Sequence, residues 1–325
     1  MKQVLKSKFG WDVSDLTEYV NEESQDLLRK KVLTGTTLDI IAIQEGVKHK
    51  EKVKLFDVDV TWASGDTCGF TASGDAKFTD REIEVANIKL EKKFCNLDLL
   101  DKWTQKALSA GAINELEDFP YEQILMDTML EKNAFELERA VWNSDATSGT
   151  GNLQFFDGFE VLFASESANM IDINTGGATT FDATNAFDTI FAAYEDMSAD
   201  DTGEAVLQDG AVVMLTGVQY NKLIKNILDD NLFHFDPAAA ASEGSFVLPG
   251  TDLRCIRVNG RTDSTKFYIG SPANMIFGTD LRGDTDQVKM WYNEDEEEIR
   301  LRIRFKAGTQ MAFPEEMGYF ELATS

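Results

Sequence analysis

The residue types that perform most acid–base and nucleophilic chemistry are scarce and scattered in this sequence. Its two histidines stand apart, His49 between two lysines and His234 between two phenylalanines. A serine or cysteine nucleophile needs a base that a third group orients, and neither histidine has such a partner nearby. We therefore expect a solvated His49, a partly buried His234 and no catalytic residue.

The cysteines point to no metal or disulfide chemistry. Cys68, Cys95 and Cys255 are far apart, odd in number and form no CxxC pair. Zinc sites and disulfide frameworks show closer and paired spacings, so this pattern fits a reducing compartment. We predict that the protein uses no cofactor.

One glycine-rich segment invites comparison with a phosphate-binding loop. Residues 148–151 read Ser-Gly-Thr-Gly, but they follow a predicted long helix and precede no Gly-Lys-Ser/Thr. Phosphate is held by backbone amides at the start of a helix. The order here is reversed, so the segment is predicted to be a turn.

A run of acidic residues near the C-terminus allows three interpretations. The run is Glu294, Asp295, Glu296, Glu297 and Glu298. It could be a solvated turn, or it could bind a divalent cation, although it lacks the DxDxDG spacing of a specific calcium loop. The third interpretation is an ion-pair patch between subunits. Its partners would be the basic residues of a neighbouring copy, namely Lys48, Lys50, Lys52 and Lys54.

The composition is that of a folded, acidic protein. The chain has 325 residues, 43% of them hydrophobic, and a formal charge of 31 − 57 = −26. Such a surface repels nucleic acid on average, because phosphate binding requires clustered Lys and Arg. The charge maintains solubility, or serves ion binding or matching to basic patches of a neighbouring copy. No apolar run approaches the ~20 residues that span a membrane, and the N-terminus lacks a signal-peptide pattern, so we expect a cytoplasmic protein.

Residues 46–92 show the alternation of a long β-hairpin. Apolar residues alternate with polar ones on both strands, but the phase slips near Phe56 and again between Val85 and Ile88. A one-residue slip is typical of a β-bulge. The segment between the strands is rich in glycine and is predicted to be the tip.

This hairpin is predicted to project from the body, because few core neighbours surround it in the sequence. A two-stranded hairpin is marginally stable by itself. Its apolar residues would then be buried between subunits, and these are Val58, Val60 and Trp62.

The rest of the chain mixes helices and strands. Helices are predicted at 97–110 and at about 120–143, where apolar residues recur every three or four positions. Residues 182–260 have α/β character, with a strand at 211–215 that is covered on both faces and a helix at 220–228. Near the C-terminus, alternating segments before and after the acidic run predict a second hairpin, which carries arginines on one face.

Four stretches, 76–90, 135–158, 211–228 and 299–313, resemble in order and spacing the major capsid proteins of tailed bacteriophages, the HK97-like fold family. They are similar to the return strand of the family's E-loop, the end of its spine helix, the central strand and helix of its A-domain, and the last strands of its P-domain.

The resemblance implies an α+β fold with five parts. These are an N-terminal arm at 1–45, an E-loop hairpin at 46–92, a first P-domain part with the spine helix at 93–160, an A-domain at 161–275 and a second P-domain part at 276–325.

The resemblance also implies a function without catalysis. Copies of such a protein form pentamers and hexamers of an icosahedral shell, which encloses DNA without sequence-specific binding and resides in the virion after assembly in the host cytoplasm. The N-terminal region lacks a long scaffolding segment, so a separate scaffolding protein or prior cleavage is implied, with portal and decoration proteins as further partners. An encapsulin-like compartment that encloses protein, and an α/β enzyme with an unrecognised site, remain alternatives.

Overall fold

The computed structural model describes residues 37–58, 62, 76–95, 121–230, 244–280, 288–293, 295–296 and 298–323. Within these ranges the α-helices are α1 (Tyr121–Asn143), α2 (Phe159–Glu166), α3 (Ala186–Ala199), α4 (Asp201–Gln208) and α5 (Gly217–Asp229). The strands of the same ranges are β1 (Ala42–Glu45), β2 (Lys50–Val58), β3 (Ala76–Glu84), β4 (Ala86–Cys95), β5 (Ile171–Asp172), β6 (Val212–Thr216), β7 (Ser245–Val247), β8 (Arg254–Val258), β9 (Lys266–Gly270), β10 (Met275–Thr279), β11 (Val288–Asn293), β12 (Glu298–Met311) and β13 (Met317–Glu321). The predicted α+β class is confirmed. The predicted helix at 97–110 and the N-terminal arm before residue 37 lie outside the described residues.

Helix α1 is the long helix that the apolar spacing predicts. Its stripe of Leu130, Leu137 and Val141 is buried in the first hydrophobic core. Trp142 in its last turn is fully buried, with its ring 5.6 Å from that of Phe159 in α2. The helix is therefore held by tertiary packing along one side, which is the usual source of helix stability in proteins.

A six-stranded sheet separates two hydrophobic cores. Its strand order is β5-β13-β9-β6-β8-β7. Alternate residues of β6 enter different cores, with Met214 in the first and Val213 in the second, because successive side chains of a strand point to opposite faces. The strand predicted at 211–215 is thus confirmed as covered on both faces. Helix α5 follows it directly, and Thr216 and Gln219 form a capping box at its start.

The second sheet is centred on β12. This strand pairs antiparallel with β4, β10 and β11, and β1 joins the sheet in parallel beside β10. Leu301 and Ile303 of β12 are buried in the first core. The predicted C-terminal hairpin is confirmed, because Val288 to Asn293 pair in register with Ile303 to Glu298.

The predicted hairpin at 46–92 requires two corrections. Strand β3 ends at Glu84 and pairs with β2, whereas β4 begins at Ala86 and pairs with β12. The predicted single return strand is therefore wrong, and the slip at Val85 marks a change of sheet. At this residue the Val85 N–H donates to the His49 carbonyl at 2.9 Å, and its side chain is buried.

The predicted bulge near Phe56 is also wrong. The register of β2 and β3 is continuous from Lys50 opposite Glu84 to Val58 opposite Ala76. The apolar phase slips because the buried face changes. Leu55 packs against the body of the subunit, whereas the next residue, Phe56, points away from it and is 56% exposed.

Candidate functional site

The β2–β3 hairpin is a separate small sheet within the described structure. Among the described residues, β2 and β3 form a two-stranded sheet that pairs with no other strand. Strand β2 has nine residues, so it is about 30 Å long at ~3.4 Å per residue. Isolated two-stranded sheets are marginal in water, so this one depends on contacts other than its own strand pairing.

Opposite charges line one face of the hairpin. Lys50 Nζ lies 2.8 Å from Glu84 Oε2, and Lys52 Nζ lies 3.1 Å from Asp80 Oδ2. The hydrogen bond from Lys50 lowers the pKa of Glu84, and the same bond raises the pKa of Lys50. Two of the four lysines that the sequence singles out are therefore paired within their own hairpin.

The hairpin base is fixed to the body by a small core of its own. Leu55, Ile83 and Val85 are buried there together with Ile276 of β10 and Ala312. Leu55, Ile83 and Ile276 come from strands, whose alternation directs one side toward this core, while Val85 and Ala312 lie directly beside strand ends. The base therefore has a defined position, whereas the distal strands extend away from it.

Polar contacts reinforce this attachment. Arg81 Nη1 lies 3.2 Å from Glu166 Oε1 at the end of α2, and both side chains are partly buried. Gln310 Nε2 donates to the Glu82 carbonyl at 2.7 Å. Two strand glycines, Gly278 and Gly308, lie beneath the hairpin base and allow its backbone to approach the sheet closely.

Large apolar side chains on the distal hairpin face solvent. Trp62 is 92% exposed in addition to the half-exposed Phe56. The side chain of Val58 and all of Val60 lie outside what the structure describes. Exposed aromatic residues on a projecting element are typical of interaction surfaces. Burial of these residues between subunits stays a prediction.

The acidic run forms the turn between β11 and β12 and is partly neutralised by its own chain. Glu298 Oε1 lies 2.8 Å from Lys93 Nζ, and Glu296 Oε2 lies 2.5 Å from Arg300 Nη2. The hydrogen bond from Lys93 lowers the pKa of Glu298. Asp295 is exposed, and positions 294 and 297 lie outside the described residues. The pairing of this run with Lys48, Lys50, Lys52 and Lys54 of a neighbouring copy stays a prediction.

A buried charged cluster, which the sequence did not reveal, links helix α2 to the six-stranded sheet. Arg261 is buried and pairs with Glu160 of α2, while its Nη1 donates to the Met214 carbonyl at 3.0 Å. The Tyr268 hydroxyl donates to Glu160 Oε2 at 2.6 Å, and burial raises the pKa of this tyrosine well above its ordinary value. The guanidinium also lies 4.5 Å from the centre of the Tyr268 ring. The cluster fixes α2 against the six-stranded sheet.

A second buried cluster holds the start of the described chain. The Thr37 N–H donates to Glu138 Oε1 of α1 at 3.0 Å, and Trp142 Nε1 donates to Thr37 Oγ1 at 2.6 Å. All three side chains are buried. These hydrogen bonds join residues that are 101 and 105 positions apart in the sequence, and they fix Thr37 to the last turns of the long helix.

The described residues hold little that could perform chemistry. His49 is exposed, and His234 lies outside the described residues. Residues 145–149 form a turn that overlaps the predicted one at 148–151, with Asp145 Oδ1 accepting from the Thr147 and Ser148 N–H groups at 2.7 and 3.0 Å. A short 3₁₀ helix, Gly151–Leu153, begins at the end of the predicted segment. Burial raises the pKa of the Cys255 thiol, which disfavours the reactive thiolate.

Over the described ranges, His, Cys, Asp and Glu side chains form no group of three that could hold a metal ion. In the same ranges no helix is long and apolar enough to cross a membrane.

Solved structures with a similar fold were found, although no protein-family model and no curated protein sequence matches the chain. A chain of the satellite phage P4 procapsid that includes the size determination protein aligns with a TM-score of 0.55 at 12% identity, over 93% of this chain and 100% of that one. A chain from the capsid of the native GTA particle gives a TM-score of 0.56 at 14% identity, over 90% and 92% of the two chains. A chain of Microbacterium phage Oxtober96 gives 0.53 at 13% identity, over 89% and 91%.

These likenesses extend over nearly the whole length of both partners in each pair. They show that the chain has an α+β fold that occurs in phage and GTA capsids. Fold by itself does not fix function, so the functional conclusion must come from the surfaces described above.

Proposed function

We propose that this chain is a major capsid protein that assembles with copies of itself into a closed shell around a phage genome. The observation that carries the proposal is the β2–β3 hairpin. It is paired with no other described strand, extends about 30 Å and exposes Phe56 and Trp62 to solvent. Such an element is stabilised when it lies on a neighbouring subunit. The likeness of the whole chain to capsid chains supports the same conclusion.

The parts of the chain take the roles that the capsid fold suggests. The hairpin corresponds to the E-loop, helix α1 to the spine helix of the P-domain, and the six-stranded sheet with α3 and α5 to the A-domain. The segment before Thr37 is an arm that contacts another subunit. Its attachment to Glu138 and Trp142 gives this arm a fixed starting point.

Shells of this kind are built from pentamers and hexamers. A shell that contains five- and six-fold positions needs subunit contacts that tolerate two curvatures. A hairpin whose described contacts with the body lie at its base suits this requirement, because its distal part can follow a neighbour while the cores stay rigid. Assembly takes place in the host cytoplasm, and the mature location is the virion. A separate scaffolding protein, a portal and decoration proteins are the further partners that we propose.

The negative charge of the chain is compatible with a wall around DNA. Repulsion between exposed charges is screened beyond a Debye length of ~8 Å at physiological salt. The enclosed DNA needs no affinity for the wall, because a closed shell confines it. The subunit carries out no catalysis in this proposal, which agrees with the scarcity of candidate catalytic groups.

Electron microscopy of the expressed full-length chain tests this proposal. Closed shells are the expected result, and nucleic acid inside natively purified particles identifies a capsid. Particles that enclose protein instead would identify a compartment of the encapsulin type. A small discrete oligomer with no shells at any salt concentration would contradict the proposal and revive the enzyme alternative.

A further inference from the structure

The sheet centred on β12 carries an unusual concentration of cations on the face that points away from the first core. Alternation places the apolar residues of β12 inward and its basic residues outward. We call this outward surface the basic face. Its cations are Lys89 and Lys93 of β4, Lys289 of β11, and Arg300, Arg302, Arg304 and Lys306 of β12.

The strand register places like charges directly opposite each other on the basic face. Arg304 pairs with Lys89, and Arg300 pairs with Lys93. Arg302 is opposite Lys289 on the other side. Like charges in directly opposed positions destabilise a sheet. The fold therefore carries an electrostatic cost at three adjacent positions, and an anionic partner on this face would relieve it.

The carboxylates of the subunit offset this cost only in part. Glu91 is shared between Lys89 and Arg302, each at 2.9 Å. Glu298 is likewise shared between Lys93 at 2.8 Å and Arg300 at 3.6 Å. Glu296 lies 2.5 Å from Arg300, and Asp280 lies 2.6 Å from Lys306. Arg304 is exposed and forms no ion pair with any described residue. Positive charge is thus in excess on a chain whose overall formal charge is −26.

The tip of the hairpin has the complementary composition. From Leu55 to Ala76 the sequence contains no Lys, Arg or His, and its acidic residues are Asp57, Asp59, Asp66 and Asp75. This segment links the end of β2 to the start of β3. Phe56, at the start of this segment, is half exposed.

We propose that the basic face receives the acidic hairpin tip, residues 55–76, of a second copy of this chain. The proposal rests on the proposed shell function and names the surface that the hairpin occupies there. It also reverses the polarity expected from the sequence alone, in which hairpin lysines contact an acidic turn. Lys50 and Lys52 already pair within their own hairpin. Arg304 forms no ion pair with a described residue, and the sequence from 55 to 76 offers aspartates without a single cation.

The shape of the charge distribution favours a short acidic segment over DNA. The basic face is bounded by Asp295 and Glu296 at one end and by Asp280 beside Lys306 at the other. Between these carboxylates it extends about 20–30 Å along β12. A DNA duplex carries a charge every ~1.7 Å along its axis and would meet the flanking carboxylates. A short loop with four aspartates is small enough to lie between the flanking carboxylates.

Aromatic residues can add contact area to this charge pairing. Trp291 lies on the basic face, with the Arg302 guanidinium 5.2 Å from its ring centre. The hairpin offers Trp62, which is almost fully exposed. A few aromatic and arginine anchors commonly provide most of the energy of an interface, so these two tryptophans and Arg302 are the expected centre of the contact.

Charge exchange between the two surfaces tests the proposal. The first variant carries Arg302→Glu and Arg304→Glu, the second carries Asp59→Arg and Asp66→Arg, and the third combines all four changes. We expect each two-site variant to raise the subunit concentration needed for shell assembly by about tenfold or more. The four-site variant should recover most of this loss, because opposite charges meet again.

The controls separate assembly from folding. Arg139→Glu with Lys225→Glu makes the same change of charge at exposed positions of α1 and α5 and should assemble normally. Arg302 pairs with Glu91 in the folded subunit, so the melting temperature of the unassembled Arg302→Glu, Arg304→Glu subunit should fall modestly. Arg304→Glu alone keeps that pair and places a carboxylate opposite Lys89, so its melting temperature should be unchanged or higher while its assembly is still impaired. A structural role for Arg304 would lower the melting temperature of this single variant.

Three results would overturn the proposal while leaving the shell function intact. The first is normal assembly of the Arg302→Glu, Arg304→Glu variant when the wild-type chain forms shells. The second is failure of the four-site variant to recover. The third is normal assembly of the Arg302→Glu, Arg304→Glu variant with loss of enclosed nucleic acid only, which would assign the basic face to DNA. A wild-type chain that forms no shells would contradict the proposed function itself.

Discussion

Gly308 and Glu84 lie in contact through their backbones alone. A Cβ atom at position 308 would lie 2.1 Å from the Glu84 carbonyl oxygen, a distance that no real side chain adopts. Gly278, the cross-strand partner of Gly308, faces Ile83 in a similar way, with 2.7 Å to its Cδ1. The pair of glycines thus sets how closely the hairpin base lies on the sheet.

The two glycines predict a graded response to alanine. Gly308→Ala should lower the free energy of unfolding by about 3 kcal/mol or more, because the clashing atom belongs to the backbone. Gly278→Ala should cost about 1–2 kcal/mol, since the end of the Ile83 side chain can move. Urea unfolding of the two variants beside the wild type measures this difference. If both variants lost the same small amount of unfolding free energy, the hairpin base would be free to shift on the sheet, which would contradict the close packing at Gly308.

The buried pair of Arg261 and Glu160 predicts a large effect of a single truncation. Glu160→Ala leaves the guanidinium without its carboxylate and removes the acceptor of the Tyr268 hydroxyl, so the loss should be about 3–5 kcal/mol. Glu321→Ala is the matched control. Glu321 is half exposed and also lies beside a cation, Lys266 at 3.4 Å, and its loss should cost at most about 1 kcal/mol. A loss below about 1 kcal/mol for both variants would argue against a joining role for the cluster.

The hydroxyl of Thr37 should contribute more to the free energy of unfolding than the volume of its side chain does. Thr37→Val keeps the volume but removes the acceptor of the Trp142 indole N–H, so we expect a loss of about 1–3 kcal/mol. Thr37→Ser retains the hydroxyl and should cost less. Thermal and urea unfolding compare the two variants. A valine variant that is as stable as the serine variant would show that the bond between Thr37 and Trp142 contributes nothing net.

Acid should weaken the hairpin and the arginine-bearing sheet together. Lys50, Lys89 and Lys93 lower the pKa values of Glu84, Glu91 and Glu298, respectively, below their ordinary value of 4.5. A carboxyl whose pKa is lower in the folded state contributes stability above its unfolded pKa, and this contribution is lost as pH falls through the folded value. Unfolding midpoints measured from pH 7 to pH 3 should therefore fall mainly below pH 4.5.

The variant Glu84→Gln provides the control for this pH dependence. It removes one titrating group from the hairpin, so its midpoint should depend less steeply on pH in the acidic range than that of the wild type. A wild-type midpoint that stays constant down to pH 3 would show that these ion pairs do not contribute.

Local periodicity was sufficient to predict the elements that are long or fully buried. Helix α1 begins and ends within one residue of the predicted bounds, because its apolar stripe repeats over six turns. Strand β6 was recognised from its continuous apolar run, and the structure buries all of its residues. The hairpin of β11 and β12 followed from strict alternation on both sides of the acidic run.

Long-range relationships could not be predicted in this way. The alternation around Val85 is equally compatible with one bent strand and with two strands in two sheets, and only the pairing with β12 decides between them. Glu160 and Arg261 are 101 positions apart, and neither lies in a motif. Gly278 and Gly308 did carry a signal, since a glycine inside a strand often marks the close approach of another backbone.

The central claim is that the distal hairpin joins one subunit to the next, and a shortened hairpin tests it most directly. Phe56 and Phe78 are directly opposite each other in β2 and β3, so residues 57–77 can be replaced by Asn-Gly, which favours a two-residue turn. The buried base with Leu55 and Ile83 stays intact. Electron microscopy of this variant beside the wild type should show closed shells for the wild type and only folded, unassembled subunits for the variant. Shells of normal size formed by the variant would contradict the account.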